Sequence, residues 1–499
     1  MLMKTPKDID FSIPEIVKQT VYKLKDAGFE AYIVGGCVRD MLIGRKPKDW
    51  DLTTDATPEE IQGVFPDSFY ENKYGTVGVK NETEEDETLK VIEVTPYRLE
   101  SDYSDNRRPD NVTFSKDISD DLQRRDFTVN AIAVDIGDGS KGHIIDLYKG
   151  QEDLALKTIR TVGDAEDRFK EDGLRILRAV RLATDLSFVI EESTQNAILK
   201  HKDLLKNIAK ERIRDEFVKI VMSDNPLIGI VSCEKLGILK YICPELEIAI
   251  GVTQNQAHAY DVWEHLLRTV QHSADKGFGL EIRLAALFHD IGKPKTRHVT
   301  REKGDEPTFY GHDVVGERIT RKILEDLKFS REIIEKVAKF VRWHMFFSDP
   351  DLISLSAVRR MVANVGKDNI WDLMHVRECD RIGTGRPKEN PYRLRKYKAM
   401  IEQVMHDPVS VGMLKIDGNR VMEVTHETPG PKIGFVLHAL LEEVMEDPSL
   451  NTPEYLETKT LELIKLDLSE LKKLSDQGKE LQEKAEQEVV KEIRKRHKV

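Results

Sequence analysis

Short apolar runs separated by glycine and polar turns fill the first 150 residues, and helical periodicity dominates afterwards. The apolar run Ala31–Val34 predicts a buried strand, Gly35 and Gly36 interrupt it, and Val38–Ile43 predicts the first turns of a helix. Further strand patterns are Val77–Val79, Val91–Thr95 and Ala131–Asp135. The pattern therefore predicts a small α/β unit followed by a long helical region.

Composition restricts the class of protein. The chain has 499 residues, which is too long for one hydrophobic core and predicts three or four domains. No apolar run is long enough to span a bilayer, and the N-terminus lacks the apolar core of a signal peptide. The scattered cysteines predict a reducing cytoplasm and no cysteine-type zinc site; they are Cys37, Cys233, Cys243 and Cys379. The net charge of −12 means that any RNA must be held by a local basic surface.

The glycine pair and two nearby aspartates suggest phosphate chemistry. A glycine pair between a strand and a helix lets backbone N–H groups approach a phosphate chain. Asp49 and Asp51 alternate along a second predicted strand, so their carboxylates are expected on one face. Two such carboxylates suit Mg²⁺ ions. Taken singly, the glycines also fit an ordinary turn, and the aspartates fit a solvated strand edge.

The two motifs together form a more specific sequence pattern than either motif alone. Gly-Gly-x-Val-Arg-Asp, followed by Asp-Trp-Asp-Leu-Thr-Thr, resembles the tRNA nucleotidyltransferase and bacterial poly(A) polymerase family, a branch of the DNA polymerase β-like nucleotidyltransferases. The resemblance implies that Asp49 and Asp51 hold catalytic Mg²⁺, and that Gly35, Gly36 and Arg39 cradle a triphosphate. Glu93 is a candidate third carboxylate, although a solvated strand residue is as good an interpretation.

Two further head motifs match the family. Arg124 and Arg125 are suited to phosphates, and Asp126 to a ribose hydroxyl, although a surface cluster of salt bridges would look similar. The polar stretch 102–110 matches the family's mobile loop, which is associated with addition of the final A, at full length.

A helical motif extends the match. Asp172 and Arg175 are three positions apart in the predicted helix 171–181, so they are expected to share a face and to meet the edge of a base. An exposed helical ion pair is the alternative. The resemblance assigns the Glu-Asp-x-x-Arg element to the choice of CTP and ATP, and adds Arg178 to the nucleotide-binding set. The segment 210–216 matches a further helical element of the family, interpreted as structural, and its arginines are also candidates to hold the acceptor stem.

A second constellation lies between residues 255 and 385. Histidine and aspartate side chains from separate predicted helices are suitable ligands for a divalent metal. Their order resembles the HD phosphohydrolase superfamily. The resemblance implies His265, His289, Asp290 and Asp380 as main ligands, with His312 and His344 at the positions that extend some members to two metals.

These matches lead to one overall expectation. The predicted fold class is α+β, with a DNA polymerase β-like head containing a mixed sheet, followed by helical domains. The predicted boundaries are 1–150 for the head, 151–254 for the neck and body, 255–385 for the HD domain and 386–499 for the tail. The resemblance implies a class II CCA-adding activity in the cytoplasm with tRNA, CTP and ATP as partners, no membrane, and a monomer or homodimer. It also implies Mg²⁺ in the head, a second divalent metal in the HD domain, and hydrolysis of phosphoesters at damaged or cyclic-phosphate RNA ends.

Two other functions remain open at this point. Poly(A) polymerases have nearly the same head motifs, although the HD domain and the acidic balance argue against this interpretation. A nucleotide phosphohydrolase driven by the HD domain, with the head as a nucleotide sensor, is the alternative from another class.

Overall fold

The computed structural model divides into two compact units, residues 1–247 and 248–499. The described residues are 9–10, 12–70, 75–83, 86–101, 111–137, 141–255, 259–299, 306–345 and 353–474. The predicted loop 102–110 lies outside them. The division into four domains stays a prediction.

A mixed β-sheet forms the framework of the first unit. The strands of this unit are β1 Ile9–Asp10, β2 Ala31–Val34, β3 Asp51–Thr54, β4 Ser68–Tyr70, β5 Val77–Lys80, β6 Val91–Pro96, β7 Arg98–Ser101, β8 Asn111–Phe114, β9 Ala133–Asp135, β10 Lys141–Ile145, β11 Thr158–Ile159 and β12 Val189–Ile190. The main sheet has the order β1-β10-β9-β2-β3-β6-β5-β4. Strands β3 and β6 are parallel, with Asp51 opposite Glu93. This register places Asp51, the first residue of β3, beside Glu93, the third residue of β6.

Helices alternate with the strands of this unit, and the last part of the unit is formed by helices alone. They are α1 Glu15–Asp26, α2 Gly36–Leu42, α3 Pro58–Val64, α4 Ile118–Gln123, α5 Gly150–Leu156, α6 Ala165–Glu171, α7 Leu174–Leu186, α8 Glu192–His201, α9 Lys210–Met222, α10 Pro226–Lys235, α11 Leu239–Ile242 and α12 Pro244–Glu247. Local sequence explains several helix starts. Thr57 and Glu60 form a capping box at α3, and Asp117 caps α4 through the Ser119 N–H.

The second unit is mainly helical. Its elements are α13 Val262–Asp275, α14 Leu280–Phe288, α15 Lys293–Thr296, β13 His298–Val299, β14 Pro307–Thr308, α16 His312–Asp326, α17 Arg331–Trp343, α18 Leu355–Val365, α19 Ile370–Gly383, α20 Tyr392–Val404, α21 Gly418–Thr425, α22 Pro431–Glu446 and α23 Pro453–Leu463. In α22, Val436, Leu440 and Val444 follow helical spacing, are buried, and share one apolar cluster with α21 and α23.

The predicted fold class is confirmed, because a mixed sheet is followed by helices. The strand–glycine–helix pattern at β2 and α2 is confirmed as well. The strand predicted at Ala131–Asp135 is shorter than expected. A single 3₁₀ turn, Thr128–Asn130, occupies the preceding residues, so the strand begins only at Ala133.

Candidate active site and candidate metal centre

The turn between β2 and α2 is built around two glycines. Gly35 has φ +87°, a backbone conformation that side-chain-bearing residues rarely adopt. A Cβ atom on Gly35 would lie 2.9 Å from Arg125 Nη1 and 3.4 Å from Asp51 Oδ2. A Cβ on Gly36 would lie 3.7 Å from Arg39 Nη2 and 4.0 Å from Asp49 Oδ1. The absence of side chains therefore lets charged groups of both signs approach this turn.

The two aspartates reach this turn differently from the prediction. Asp51 is the first residue of β3, but Asp49 lies in the bend before the strand. The expectation that both carboxylates alternate along one strand is therefore wrong. The strand starts later than expected because β3 pairs with β6 only from Asp51 onward and with β2 only from Leu52. Both carboxylates nevertheless face the glycine turn, as the distances from Gly35 and Gly36 show.

The carboxylates at this turn create a site of negative potential. Burial, followed by the charges of Asp51 and Asp49, raises the pKa of the Cys37 thiol to about 12. Glu93 lies opposite Asp51 across the parallel strand pair. Hard carboxylate oxygens in such a field are the donors that Mg²⁺ prefers, so these residues fit a magnesium ion.

Next to this turn lies a cavity of about 350 Å³. It is lined by Asp51, Leu52, Thr76, Glu93, Thr95, Arg98, Arg124, Arg125, Asp126, Asp172, Leu174, Arg175, Arg178 and Arg212. The structure thus brings most of the predicted nucleotide residues together. Gly35, Gly36, Arg39 and Asp49 adjoin the region at the turn but do not line this cavity. Its lining is rich in arginine, which suits a phosphorylated ligand.

Arg124 and Arg125 are both oriented by one buried carboxylate. The Nη2 atoms of Arg124 and Arg125 lie 2.6 Å and 3.0 Å from the two oxygens of Asp121. Burial tends to raise the pKa of Asp121, but the two guanidinium groups outweigh burial and lower the pKa to about 2. The carboxylate is therefore charged at neutral pH and fixes both arginines beside the cavity.

Asp126 is fully engaged by protein donors. Its Oδ1 accepts hydrogen bonds from the Phe127 N–H at 2.9 Å and from Asn130 Nδ2 at 3.3 Å. Its Oδ2 accepts from Arg178 Nε at 2.8 Å and Nη2 at 2.5 Å. Burial opposes the charged form, but Arg178 and Arg175 hold the pKa of Asp126 well below its usual range. In this arrangement a ribose hydroxyl would have to displace one of these donors.

Asp172 and Arg175 do not form the predicted pair on one helix. Asp172 follows α6 in an extended conformation, and a new helix, α7, starts after Gly173. The extended backbone of Asp172 interrupts the predicted helix, and Gly173 beyond it is crowded, since an added Cβ would lie 3.0 Å from Leu204 Cβ. Asp172 therefore points to other partners, and the shared-face argument is wrong.

Each member of that predicted pair has its own partners. Asp172 Oδ2 lies 2.6 Å from Arg212 Nη2, and its Oδ1 accepts from the Leu174 N–H at 3.0 Å. Arg175 Nη1 donates to Glu171 Oε2 at 2.5 Å, and its Nη2 donates to the Arg124 carbonyl at 3.1 Å. Asp172 and Arg175 still line the same cavity.

Sequence reasoning missed several residues of this site. Asp121 lies three and four positions before Arg124 and Arg125, a helical spacing that would have indicated the ion pairs. Arg212 was interpreted as structural, and its contact with Asp172 spans 40 positions, so no local pattern reveals it. Asn130 and Arg98 carried no signal of their own.

In the second unit, all six predicted HD residues lie together. His265 comes from α13, His289 and Asp290 from the end of α14, His312 from the start of α16, His344 from the end of α17, and Asp380 from α19. Asp380 Oδ1 lies 3.3 Å from His265 Nε2 and 3.6 Å from His289 Nε2. Five helices thus supply one compact set of ligand atoms.

Asp290 lies between two pairs of histidines. Its Oδ2 is 3.2 Å from His265 Nε2 and 3.3 Å from His289 Nε2. Its Oδ1 is 3.2 Å from His312 Nε2 and 3.5 Å from His344 Nε2. Two groups of possible metal ligands result, and Asp290 belongs to both of them. This arrangement can hold two divalent ions with one shared carboxylate.

Backbone carbonyls orient the imidazole rings. The Nδ1 atoms of His289, His312 and His344 face the carbonyls of Ala286, Phe309 and Val341, at 2.9, 2.7 and 2.7 Å. Their Nε2 atoms are therefore directed to the centre, as expected of metal ligands. The Oδ1 of Asp290 is buried and accepts no hydrogen bond within the described part of the chain. This donor set fits divalent metal ions.

Cations outside the cluster keep its carboxylates charged. Burial opposes ionisation of Asp290, but Lys293, whose Nζ lies 2.5 Å from Oδ2, and His289 hold its pKa well below the usual range. Arg377 acts on the pKa of Asp380 in the same direction. Burial lowers the pKa of His344 to about 4, whereas Asp290 and Asp380 outweigh burial at His289 and raise its pKa to about 10.

The cluster opens into a cavity of about 970 Å³. Asp290, His312, His344 and Asp380 form part of its wall. Cationic side chains also line it; they are Lys293, Arg377, Arg381, Arg386 and Arg393. Such a cavity suits an anionic ligand larger than inorganic phosphate.

Known families match three parts of the chain. Residues 31–160 match the poly A polymerase head domain, residues 187–250 match the probable RNA and SrmB-binding site of polymerase A, and residues 262–378 match the HD domain. These matches include most of the residues that line the cavity of the first unit, although Asp172, Leu174, Arg175 and Arg178 lie between the first two. The third match includes the histidines and Asp290 of the cluster and ends two residues before Asp380. No helix among the described residues is long and apolar enough to cross a membrane.

Whole proteins give a consistent result. The CCA-adding enzyme of Lactobacillus helveticus is 50% identical over 40% of this chain and 47% of its own length. That of Limosilactobacillus reuteri is 42% identical over 48% of this chain and 57% of its own length. The chain thus spans about half the length of these curated relatives. The structure of the Bacillus stearothermophilus CCA-adding enzyme in complex with CTP superimposes with a TM-score of 0.68 at 26% identity, covering 90% of this chain and 98% of that one.

Proposed function

We propose that this chain, which belongs to the tRNA nucleotidyltransferase and poly(A) polymerase family, adds the sequence CCA to the 3′ end of tRNA from CTP and ATP. One observation carries the proposal. A single cavity beside the glycine turn combines the carboxylates of Asp51 and Glu93 with an arginine-rich wall. Acidic and basic groups in one small cavity suit a metal-bound triphosphate.

In the proposed reaction, the terminal 3′-hydroxyl of tRNA attacks the α-phosphate of the nucleotide. Asp49 and Asp51 would hold Mg²⁺, with Glu93 as a possible third carboxylate. When bound, the ion would polarise the α-phosphate and neutralise charge on the departing pyrophosphate. The carboxylates also present acceptor oxygens toward the glycine turn, where the reacting groups would meet.

The arginines bind and orient the nucleotide. Arg124 and Arg125, fixed by Asp121, donate hydrogen bonds to phosphate oxygens. Gly35 and Gly36 keep the turn open so that phosphates can approach the backbone, and Arg39, whose Nη2 lies 3.7 Å from a Cβ on Gly36, is proposed to help cradle them. Because Arg124 and Arg125 are already positioned, the triphosphate is bound in one orientation.

Base choice is proposed to depend on Asp172 and Arg175. A carboxylate that accepts and a guanidinium that donates can pair with the edge of a base, which would replace a nucleic-acid template. Arg212 keeps Asp172 in the cavity through a contact of 2.6 Å. Arg178, held by Asp126, completes this side of the cavity.

The test is nucleotide addition by the purified full chain to tRNA that lacks CCA. Each nucleotide is supplied alone, and then CTP and ATP together. CCA addition predicts two C residues with CTP alone and a complete end with both; a poly(A) polymerase would extend with ATP alone. Absence of any addition would leave only a nucleotide-sensing role for the head.

Asp49→Ala and Asp51→Ala should each abolish addition, because the proposed Mg²⁺ would lose an oxygen ligand. Asp185→Asn is a suitable control, since it removes a carboxylate 4.0 Å from Arg45, outside the cavity. Addition at the wild-type rate by the Asp49 and Asp51 double variant would contradict these assignments.

A second activity is proposed for the second unit. The shared position of Asp290 between two histidine pairs favours metal-dependent hydrolysis of phosphoesters. Divalent ions held by Asp290 and the two histidine pairs would supply the charge that activates water for attack on a phosphoester at neutral pH. The test is hydrolysis of a 2′,3′-cyclic nucleotide and of p-nitrophenyl phosphate with Mg²⁺, Mn²⁺, Ni²⁺ or Co²⁺. Failure to bind or use any of these ions would make the cluster structural.

A further inference from the structure

Asn130 forms a buried bridge behind the nucleotide cavity. It ends the 3₁₀ turn Thr128–Asn130 and is 8% exposed. Its Oδ1 accepts a hydrogen bond from Arg39 Nη1 at 2.8 Å, and its Nδ2 donates to Asp126 Oδ1 at 3.3 Å. The side-chain amide is thus used at both ends, by a cation on one side and an anion on the other.

The two ends of this bridge belong to different parts of the site. Arg39 lies on α2, and its Nη2 is 3.7 Å from the position of a Cβ on Gly36. Asp126 holds Arg178, which lies on α7, the helix that also carries Arg175. The hydrogen-bonded path therefore connects the glycine turn with the base-facing helix.

Asp126 links Asn130 to Arg178 because all the acceptor sites of its carboxylate are occupied by protein donors. A carboxylate has roughly four lone-pair sites, and the Phe127 N–H, Asn130 and the two Arg178 nitrogens occupy as many. If the contact with Asn130 is lost, the carboxylate is free to rotate, and the bidentate grip on Arg178 changes with it. Arg178 lines the cavity, so its orientation reaches the nucleotide.

We infer that Asn130 is a positioning residue for base selection. Although Asn130 does not line the cavity, its hydrogen bonds to Arg39 and Asp126 fix the orientation of Asp126, and Asp126 in turn fixes Arg178. This inference rests on the proposed nucleotide addition. An asparagine suits this position because its side-chain amide offers an acceptor to Arg39 and, on a separate atom, a donor to Asp126. An aspartate at this position would keep the first contact and repel Asp126 in place of the second.

The experiment compares Asn130→Asp and Asn130→Ser with the wild-type full chain. For each variant, kcat and KM are measured with CTP and with UTP on tRNA lacking CCA. The expected result for Asn130→Asp is a fall of at least about tenfold in the ratio of kcat/KM for CTP over UTP, the order of one lost polar contact in a site that reads hydrogen bonds. Asn130→Ser, which can keep one contact, should lie between Asn130→Asp and wild type.

Two controls separate positioning from general damage. Asn225→Asp makes the same chemical change at a residue whose side chain contacts Ser187 outside the cavity, and should leave the ratio unchanged. Arg178→Lys should lower the ratio, and combining it with Asn130→Asp should add little, since both act on one group. If Asn130→Asp does not fold, the CTP-to-UTP ratio is compared in Asn130→Ser instead. Arg39→Lys and Arg178→Lys, singly and combined, then test the two ends of the same hydrogen-bonded path.

The outcomes are distinct. A wild-type chain that adds no nucleotide would contradict the proposed function itself. Addition by wild type, with a CTP-to-UTP ratio in Asn130→Asp and Asn130→Ser within twofold of wild type, would overturn the inference even if their thermal stability fell. Strict additivity of Asn130→Asp and Arg178→Lys would overturn the path through Asp126.

Discussion

At the scale of single residues, the candidate active site depends on carboxylates that orient arginines. Asp121 holds Arg124 and Arg125, and Asp172 is held in turn by Arg212. Chemistry and resemblance identified Arg124, Arg125, Arg175 and Arg178 among the cavity arginines, but not Arg98, Arg212 or the ion pairs that orient them. A carboxylate buried beside a guanidinium gains its function from its neighbour, so a residue that is unremarkable in the sequence can control the site.

Asp172→Ala and Arg175→Ala should relax base choice more than they lower the rate at saturating nucleotide. A site built to hydrogen-bond one base edge loses discrimination when a partner is removed. Incorporation of all four nucleotides is measured for each variant. Arg45→Ala is the matched control, because Arg45 contacts Asp185 at 4.0 Å and does not line the cavity. Unchanged rejection of GTP and UTP by both variants would exclude a role in base choice.

At the scale of secondary structure, local motifs were predictable and long-range pairs were not. The strand, glycine turn and helix at β2 and α2 follow from a pattern within a few residues. The break between α6 and α7 falls at the extended residue Asp172, whose side chain accepts from the Leu174 N–H, and apolar periodicity does not encode such a cap. The HD residues were found because a family pattern supplied their order, since hydrophobic patterns alone cannot show that five helices meet.

Gly35→Ala should abolish most nucleotide addition. Its φ of +87° disfavours a side chain, and the added Cβ would lie 2.9 Å from Arg125 Nη1, so the turn or the arginine must shift. A displacement of about 1 Å can reduce the rate about 10²-fold. Gly44→Ala is the control: it has a φ of +73°, with nothing within 4 Å of the added atom. Both variants should lose about 1 kcal/mol of stability, but only Gly35→Ala should lose addition. Equal activity of the two would contradict crowding at the turn.

Asp121→Asn should weaken both the stability of the head and its affinity for nucleotide. The folded-state pKa of Asp121, about 2, is below the ordinary value of 3.8, so its contribution of about 2 kcal/mol is present above pH 3.8 and is lost as the pH falls toward 2. The loss of thermal stability should therefore be constant from about pH 5 to 8 and shrink below about pH 4.

Thermal unfolding across this pH range and KM for CTP at neutral pH are the measurements for Asp121→Asn. Asp185→Asn, at a partly exposed ion pair, should change stability by less than about 0.5 kcal/mol. A loss in Asp121→Asn that grows at acid pH would contradict the lowered pKa.

At the scale of the whole molecule, the two candidate sites lie in different compact units. The cavity of the first unit is lined by residues between 51 and 212, and the histidine–aspartate cluster of the second unit spans residues 265 to 380. Each unit has its own buried core and its own acidic and basic groups. The proposed nucleotide addition and the proposed phosphoester hydrolysis are therefore expected to be separable by substitution.

Asp290→Ala and His289→Ala should remove phosphoester hydrolysis and leave CCA addition intact. Asp290 contacts both histidine pairs, so its loss affects all ligand positions together. Hydrolysis of a 2′,3′-cyclic nucleotide, metal content after dialysis, and CCA addition are followed in parallel. His272→Ala, a histidine of α13 outside the cluster, is the control. Loss of CCA addition in the Asp290 variant would show that the sites are not independent.

The ion pairs around the cavity of the first unit would also reduce the conformational entropy that its side chains lose when the proposed nucleotide binds. Five arginines of the cavity wall are hydrogen-bonded to carboxylates or carbonyls of the protein: Arg124, Arg125, Arg175, Arg178 and Arg212. Immobilising such a side chain during binding costs about 0.5–1.5 kcal/mol of conformational entropy. Folding has already restricted these rotamers, so the proposed nucleotide would meet a prepared surface, and its affinity would reflect new contacts and desolvation more than the ordering of the protein.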